Sequence, residues 1–590
     1  MALQTLGPYL MIKNPSAISR YALAACGRFL TAACVSLALL LSGCEKAGDY
    51  DVIIRGGTVY DGTGDLPYVG DVAISDDRIA KIGDLSQQTG TVEIDADGMA
   101  VSPGFINMLS WATRSLIVDG RGMSDLKQGV TLEVMGEGSS MGPLNEAMKQ
   151  EMLERQGDIR FDIEWTTLNE YLEYLVRQGI SPNVASYVGA TTLRVHEIGY
   201  EDRPANEAEL ARMQELVRQA MRDGALGVGS SLIYAPANFA DTDELVALVS
   251  AAAEFGGAYI SHIRSEGNRL EEGVTELIKI ASITGAPAEI YHLKASGRPN
   301  WYKLQNVFGM IEAARDAGLR ITADMYTYPA SATGLNASMP LWVQEGGHDA
   351  WIARLKDPEI RARVVAEMND PDADWENRFV QAGPENILLL GFNSDRLKPL
   401  IGKTLKEVAE ERGTDPAETA IDLVIEDDSR VDVSYFMMSE DNVARKVAQP
   451  WISFGSDASA PAAEGIFLKS NPHPRAYGTF ARVLGKYSRE EGIVPLHEAI
   501  RRMTSFPAGN IGIRGRGRLE EDFYADVVIF DPETVTDHAT FEEPHQYATG
   551  VAHVFVNGQQ VIRDGEHTGA LPGRVVRGPG WRGWPQNAGQ

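Results

Sequence analysis

The sequence predicts an α/β protein: a (β/α)8 TIM-like barrel, a small β-sandwich formed by both ends of the mature chain, and an inserted subdomain between barrel strands 7 and 8. Three observations carry that expectation. Short alternating apolar and polar runs, punctuated by Gly and Asp, occur near both ends; apolar runs alternate with amphipathic stretches through the middle; and one connection there is far longer than the rest. With 590 residues, 44% hydrophobic and 23% charged, the chain can bury one large core and a smaller one.

Taken in order, Arg20 and Arg28 precede the apolar run FLTAACVSLALLL over 29–41, which ends in Ser42, Gly43 and Cys44. This is the tripartite pattern of an export signal, and at about 13 residues the run is shorter than the ~20 that a membrane-spanning helix needs. Leu41-Ser42-Gly43-Cys44 resembles a bacterial lipoprotein lipobox. The resemblance implies that 1–43 is removed, that Cys44 carries the lipid, and that Glu45, standing where an aspartate retains lipoproteins at the inner membrane, sends the chain to the outer one. The expected location is therefore the bacterial cell envelope, facing the periplasm; an ordinary secretory signal is the alternative. All three cysteines, Cys26, Cys34 and Cys44, lie in this segment, so the mature body has neither disulfide nor thiolate ligand.

Within 44–102, DVIIRGG, TVYDGTG, DVAISDDRIAKIG and TVEIDADGMAVSPG read as short strands, as do ADVVIFDPE and VAHVFVNGQQVIRDG within 513–575. Neither set buries a core alone, so the two are expected to pair. The barrel is expected over 103–334 and 446–512, from eight apolar runs: AVSPGFINM, VTLEVMGE, NVASYVG, ALGVGSSL, AYISHIR, AEIYHLK, RITADMYTY and WISFGSD. Residues 335–445 are too many for a structureless loop and are expected to form the insertion. Residues 576–590 are left as a tail. The net charge of -28 argues against a nucleic-acid partner, whose phosphates require basic residues.

In barrels of this kind the active site lies at the carboxyl ends of the strands. Of ten histidines, only His262 (YISHIR) and His292 (IYHLK) fall there, on consecutive strands, where two imidazoles can share one metal ion. Asp457, in ISFGSDAS, ends the last strand and is the natural general base, since a carboxylate beside an activated water can take its proton and return it to a leaving amine. Lys294 follows His292 by two positions, so alternation turns both side chains to one face, where the lysine could bind a substrate carboxylate.

The segments QGVTLEVMGEG, GALGVGSSLIYAP, YISHIRSEG, YHLKASG, DMYTYPASATGL, FGSDAS, NPHPRAYGTFARVLGKY and ADVVIFDPETVTDHATFEEPHQYATGVAHVFVNG resemble the N-acyl-D-amino-acid deacylase (D-aminoacylase) branch of the metal-dependent amidohydrolases. The resemblance covers nearly the whole mature chain. It implies a zinc enzyme that hydrolyses N-acyl amino acids, small amides with a free carboxylate. By the same resemblance Tyr326, Tyr328, Ser331 and Arg264 or Arg475 would clamp that carboxylate and the side chain.

Two departures stand out. The superfamily's His-x-His pair after the first strand is replaced by Leu109 and Trp111, and the deacylases' cysteine after the second strand is missing from Gly136-Glu137-Gly138-Ser139. Two histidines, one glutamate and an open position for water make a catalytic zinc set, so Glu137 is expected to complete a site for one Zn2+ with His262 and His292; Glu133 is the alternative. Rival expectations are an amidohydrolase for L- or D-dipeptides or cyclic amides, and a catalytically silent, lipid-anchored binding protein.

Overall fold

A computed structural model of the chain describes residues 48–583; the apolar leader and Cys44 lie outside the described residues. The two ends meet in one nine-stranded sheet. Tyr50–Val59 pairs antiparallel with Tyr68–Ser75 and parallel with Gly90–Asp95, while Ala100–Pro103 pairs antiparallel with Val527–Phe530, so the junction joins residues from opposite ends of the sequence. Alternation explains its core: Val52, Ile54, Val72 and Ile74 from the first half pack with Val527, Ile529 and Phe555 from the second.

The barrel is a closed ring of parallel pairings. Its strands are Phe105–Asn107, Val130–Met135, Asn183–Ser186 continued as Val188–Gly189, Gly227–Ser231, Ala258–His262, Ala288–Ile290, Ile321–Ala323 and the stretch 452–455. The ring closes where Ile452 bridges Ala323 in parallel and the Met108 N–H donates to the Phe454 carbonyl. The run AVSPGFINM, expected to be the first barrel strand, divides in two. Ala100–Pro103 belongs to the end sheet, and only Phe105–Asn107 enters the barrel. Gly104 makes the crossing, because a Cβ there would lie 2.1 Å from the Thr131 hydroxyl.

Helices cover the ring, and their starts are written in the sequence. Glu207–Arg222 begins at Asn206, whose Oδ1 accepts from the Ala208 and Glu209 amides at 3.0 Å while Glu209 returns to the Asn206 amide. Such a cap is worth about 1 kcal/mol, and the buried stripe Met213, Val217, Ala220 and Met221 supplies the packing.

The insertion begins earlier than its expected boundary at 335 and gives way sooner than 445. Its sheet orders Ala330–Gly334, Asp432–Phe436 and Ile387–Gly391, all antiparallel, around a separate core containing Trp351, Leu389, Ile421, Val424 and Tyr435. The helix Glu440–Val447 already belongs to the barrel: Val443 and Val447 join the main core, and Lys446 Nζ donates to the Leu293 carbonyl at 2.7 Å. The described part of the tail is docked on the barrel, with the Val576 N–H donating to the Val184 carbonyl and the Gly578 N–H to that of Gly224.

Candidate metal centre and active site

Three side chains converge at the carboxyl ends of the second, fifth and sixth barrel strands. His262 is the last residue of Ala258–His262; His292 lies two residues beyond Ala288–Ile290, in a left-handed backbone conformation with φ 35°. Glu137 sits in a Gly-Glu-Gly turn. Gly136 has φ 109° and would place a Cβ 2.4 Å from the Tyr187 carbonyl oxygen, and Gly138 has φ 64° and would place one 2.5 Å from Ser231 Cβ, so only glycine fits at either flank. Glu137 Oε1 lies 3.1 Å from His262 Nδ1 and 3.0 Å from His292 Nε2. All three residues are buried. Among the described residues, this is the one group of His, Cys, Asp and Glu donors close enough together to hold a metal ion.

The donor set fits zinc. Ligands about 2.0–2.1 Å from a tetrahedral ion stand about 3.3 Å from one another, close to the spacings of Glu137 from the two imidazoles. The outer nitrogens face a common carboxylate, although His262 Nε2 makes no hydrogen bond and His292 Nδ1 also lies 2.7 Å from Lys294 Nζ. His292 Nδ1 lies 3.1 Å from Glu266 Oε1 and His262 Nε2 lies 3.4 Å from Glu266 Oε2, so one buried carboxylate stands behind both rings, as carboxylates commonly do behind metal-bound histidines. The field favours a cation. Burial and Lys294 would lower the pKa of His292, but Glu266 and Glu137 outweigh them and push it up to about 9, whereas burial dominates at His262 and pulls it down to about 4. At Glu137 burial opposes ionisation, yet the charge of His292 and the hydrogen bonds from both histidines win and hold the carboxyl well below its usual range.

Asp457 occupies the end of the eighth strand with φ 51°, its amide donating to the Leu109 carbonyl at 2.8 Å. Burial raises its pKa; Arg475, whose Nη1 lies 2.8 Å from Asp457 Oδ2, works against that shift. Arg475 is itself buried, with its guanidinium 4.5 Å from the centre of the Tyr326 ring, and its Nε and Nη1 have no aligned hydrogen-bond acceptor. Tyr326 in turn lies edge-on to His292, with ring centres 6.3 Å apart.

The remaining expected residues divide. Lys294 does share the face of His292, but its charge is already partnered, 2.5 Å from Glu266 and 2.7 Å from His292 Nδ1. Ser331 Oγ accepts from Arg378 at 3.2 Å. The Arg264 guanidinium is engaged by Glu276 and by the carbonyls of Asn238 and Ala240. The Tyr328 hydroxyl donates to Asp537 at 3.3 Å and Arg482 lies over its ring. Glu133, the alternative ligand, is buried instead with Asn107 and Asp125 and belongs to no converging donor group. Sequence reasoning missed Glu266 and Arg378. Glu266 follows His262 by four residues in SHIRSEG, a spacing that could have pointed to it. Arg378, buried and 3.0 Å from Glu266 Oε2, arrives from the insertion, and no local signal marks it.

A parallel barrel with two histidines and a carboxylate at its mouth, and a second carboxylate, paired with an arginine, beside them, defines a metal-dependent hydrolase. The chain belongs to the amidohydrolase family, whose profile matches residues 92–562. It is 32% identical to D-aminoacylase of Alcaligenes xylosoxydans xylosoxydans over 531 residues, 89% of this chain and 97% of that one. Its fold matches an N-acyl-D-glutamate deacylase from Bordetella bronchiseptica complexed with zinc and a phosphonate mimic of the tetrahedral intermediate (TM-score 0.75, 30% identity, 90% and 99% of the two chains). It likewise matches a D-aminoacylase with a binuclear metal centre, described by one-metal activation and second-metal attenuation (TM-score 0.74, 32% identity, 90% and 100%).

Proposed function

We propose that the protein hydrolyses the amide bond of N-acyl-D-amino acids with one zinc ion held by Glu137, His262 and His292. The observation that carries this reading is the convergence of both imidazoles on a single oxygen of Glu137 at the barrel mouth, beside the Asp457–Arg475 pair. Zinc bound there would supply Lewis-acid polarisation of the scissile carbonyl and would acidify a water molecule towards a pKa of ~7. Asp457 takes the proton of the water that adds to the carbonyl carbon and delivers it to the nitrogen as the C–N bond breaks, giving a carboxylic acid and a free amine. Arg475 holds the substrate carboxylate: it is a buried guanidinium beside Asp457 whose Nε has no acceptor, and a planar fork of this kind suits a carboxylate.

The test is a panel of N-acetyl-D- and N-acetyl-L-amino acids with the zinc-reconstituted protein, alongside metal analysis. Turnover of the D series with about one zinc per chain is expected; strict preference for L substrates, or for dipeptides and cyclic amides, would overturn the assignment. Less than a tenth of an equivalent of zinc with no turnover would favour a silent binding protein. We further propose that Cys44 is lipidated and anchors the chain in the cell envelope, on the strength of the lipobox-like Leu41-Ser42-Gly43-Cys44. Labelled palmitate should enter the parental chain and not a Cys44→Ser variant; equal labelling would refute it.

A further inference from the structure

The first barrel strand ends without histidines, yet its residues reach the site. The Trp111 indole Nε1–H donates to Glu137 Oε2 at 2.9 Å, so the two oxygens of that carboxylate have different employers: Oε1 faces both imidazoles and Oε2 is taken. The same stretch is stitched to the eighth strand at three levels. Asn107 Oδ1 accepts from the Ser456 amide and its Nδ2 donates to Ser456 Oγ, both at 2.8 Å; the Leu109 carbonyl accepts from the Asp457 amide at 2.8 Å; and the Trp111 amide donates to the Ala458 carbonyl at 2.9 Å. One short segment therefore sets the position of Glu137 through a side chain and that of Asp457 through the backbone.

Trp111 suits this task for a chemical reason. Indole is a donor only; it cannot ligate a metal ion and cannot accept a proton from one of its ligands. We infer that Trp111 is a positioning residue that fixes Glu137 as a one-oxygen ligand, and that by capping Oε2 it removes the carboxylate atom through which a second ion could be bridged. The inference rests on the one-zinc reading above. On this view the loss of the His-x-His pair is compensated, because the segment supplies orientation where it no longer supplies donors. The ring is 38% exposed, so shortening it to phenyl leaves no large cavity.

The experiment compares the parental protein with Trp111→Phe, which removes the N–H and keeps an aromatic ring. Competition with a chromogenic chelator should show zinc held 10- to 100-fold more weakly, the usual effect of deleting an outer partner of a metal ligand. In the cobalt-substituted proteins the variant should show weaker visible d–d absorption, since a Glu137 free to offer both oxygens raises the coordination number. The melting temperature of the metal-free protein should stay at the parental value, which separates loss of orientation from loss of fold. A parental chain that binds no zinc defeats the functional reading itself. A zinc-loaded parent matched by a variant of equal affinity and identical cobalt spectrum defeats only the role of Trp111.

Discussion

Asp457 and its neighbours make the sharpest demands at the scale of single residues. His292→Ala removes a metal donor and should abolish zinc retention, whereas Asp457→Asn should keep the metal and lose about 10²- to 10⁴-fold in turnover, the ordinary worth of a positioned acid–base group. Parental turnover in Asp457→Asn would exclude it as the base. The pH profile gives an independent check. A base must be ionised, so activity falls as pH drops through the pKa of Asp457, which burial raises and Arg475 restrains. Arg475→Met removes the restraint, and the acid limb of kcat/KM should move to higher pH while KM rises. An unmoved limb would break the link between the two groups.

At the scale of elements, the barrel is held by polar ties between strands as well as by its ladder. Glu289, in Ala288–Ile290, accepts from Thr322 Oγ1 at 2.7 Å, Ser453 Oγ at 3.2 Å and Asn510 Nδ2 at 3.2 Å, joining the sixth, seventh and eighth strands. Burial pushes its pKa from the ordinary 4.5 up to about 7, against those hydrogen bonds. The folded state therefore favours the protonated form, and its contribution is full below pH 4.5 and is lost as pH rises through about 7. Glu289→Gln cannot ionise, so the melting temperature of the variant relative to the parent should improve between pH 5 and pH 8. The corresponding free energy is on the order of 3 kcal/mol at most. Parallel melting profiles would mean that Glu289 does not titrate in this range.

For the whole molecule, chain ends far apart in sequence close the structure. The described part of the stretch after Gly569 makes four backbone hydrogen bonds to the barrel: Arg574 O from Val184, Ile180 O from Gly573, Val184 O from Val576 and Gly224 O from Gly578. Each is worth about 1 kcal/mol net, so truncation after Gly569 should lower the melting temperature by several degrees. Catalysis by the protein that remains folded should be unchanged, since these contacts lie around the start of Asn183–Ser186, at the end of the barrel opposite the mouth. Loss of turnover at a temperature where the truncated chain is fully folded would contradict that separation.

The alternation of apolar runs with amphipathic stretches was enough to expect an α/β barrel, because the periods of strands and helices are local properties of the chain. The histidine count likewise narrowed the candidate metal histidines to His262 and His292, and the place of the missing cysteine, with the chemistry of a two-histidine, one-glutamate zinc set, suggested Glu137. Local pattern could not divide AVSPGFINM between two sheets, because Ala100–Pro103 finds its partner at Val527–Phe530. Nor could it show that Arg264 is spent on Glu276, that Arg378 reaches Glu266 from the insertion, or that Trp111 donates to Glu137. Those outcomes depend on which buried charges and donors are brought within about 3 Å of each other. Low dielectric makes such groups costly to leave unpaired, and only the closed tertiary structure assigns their partners.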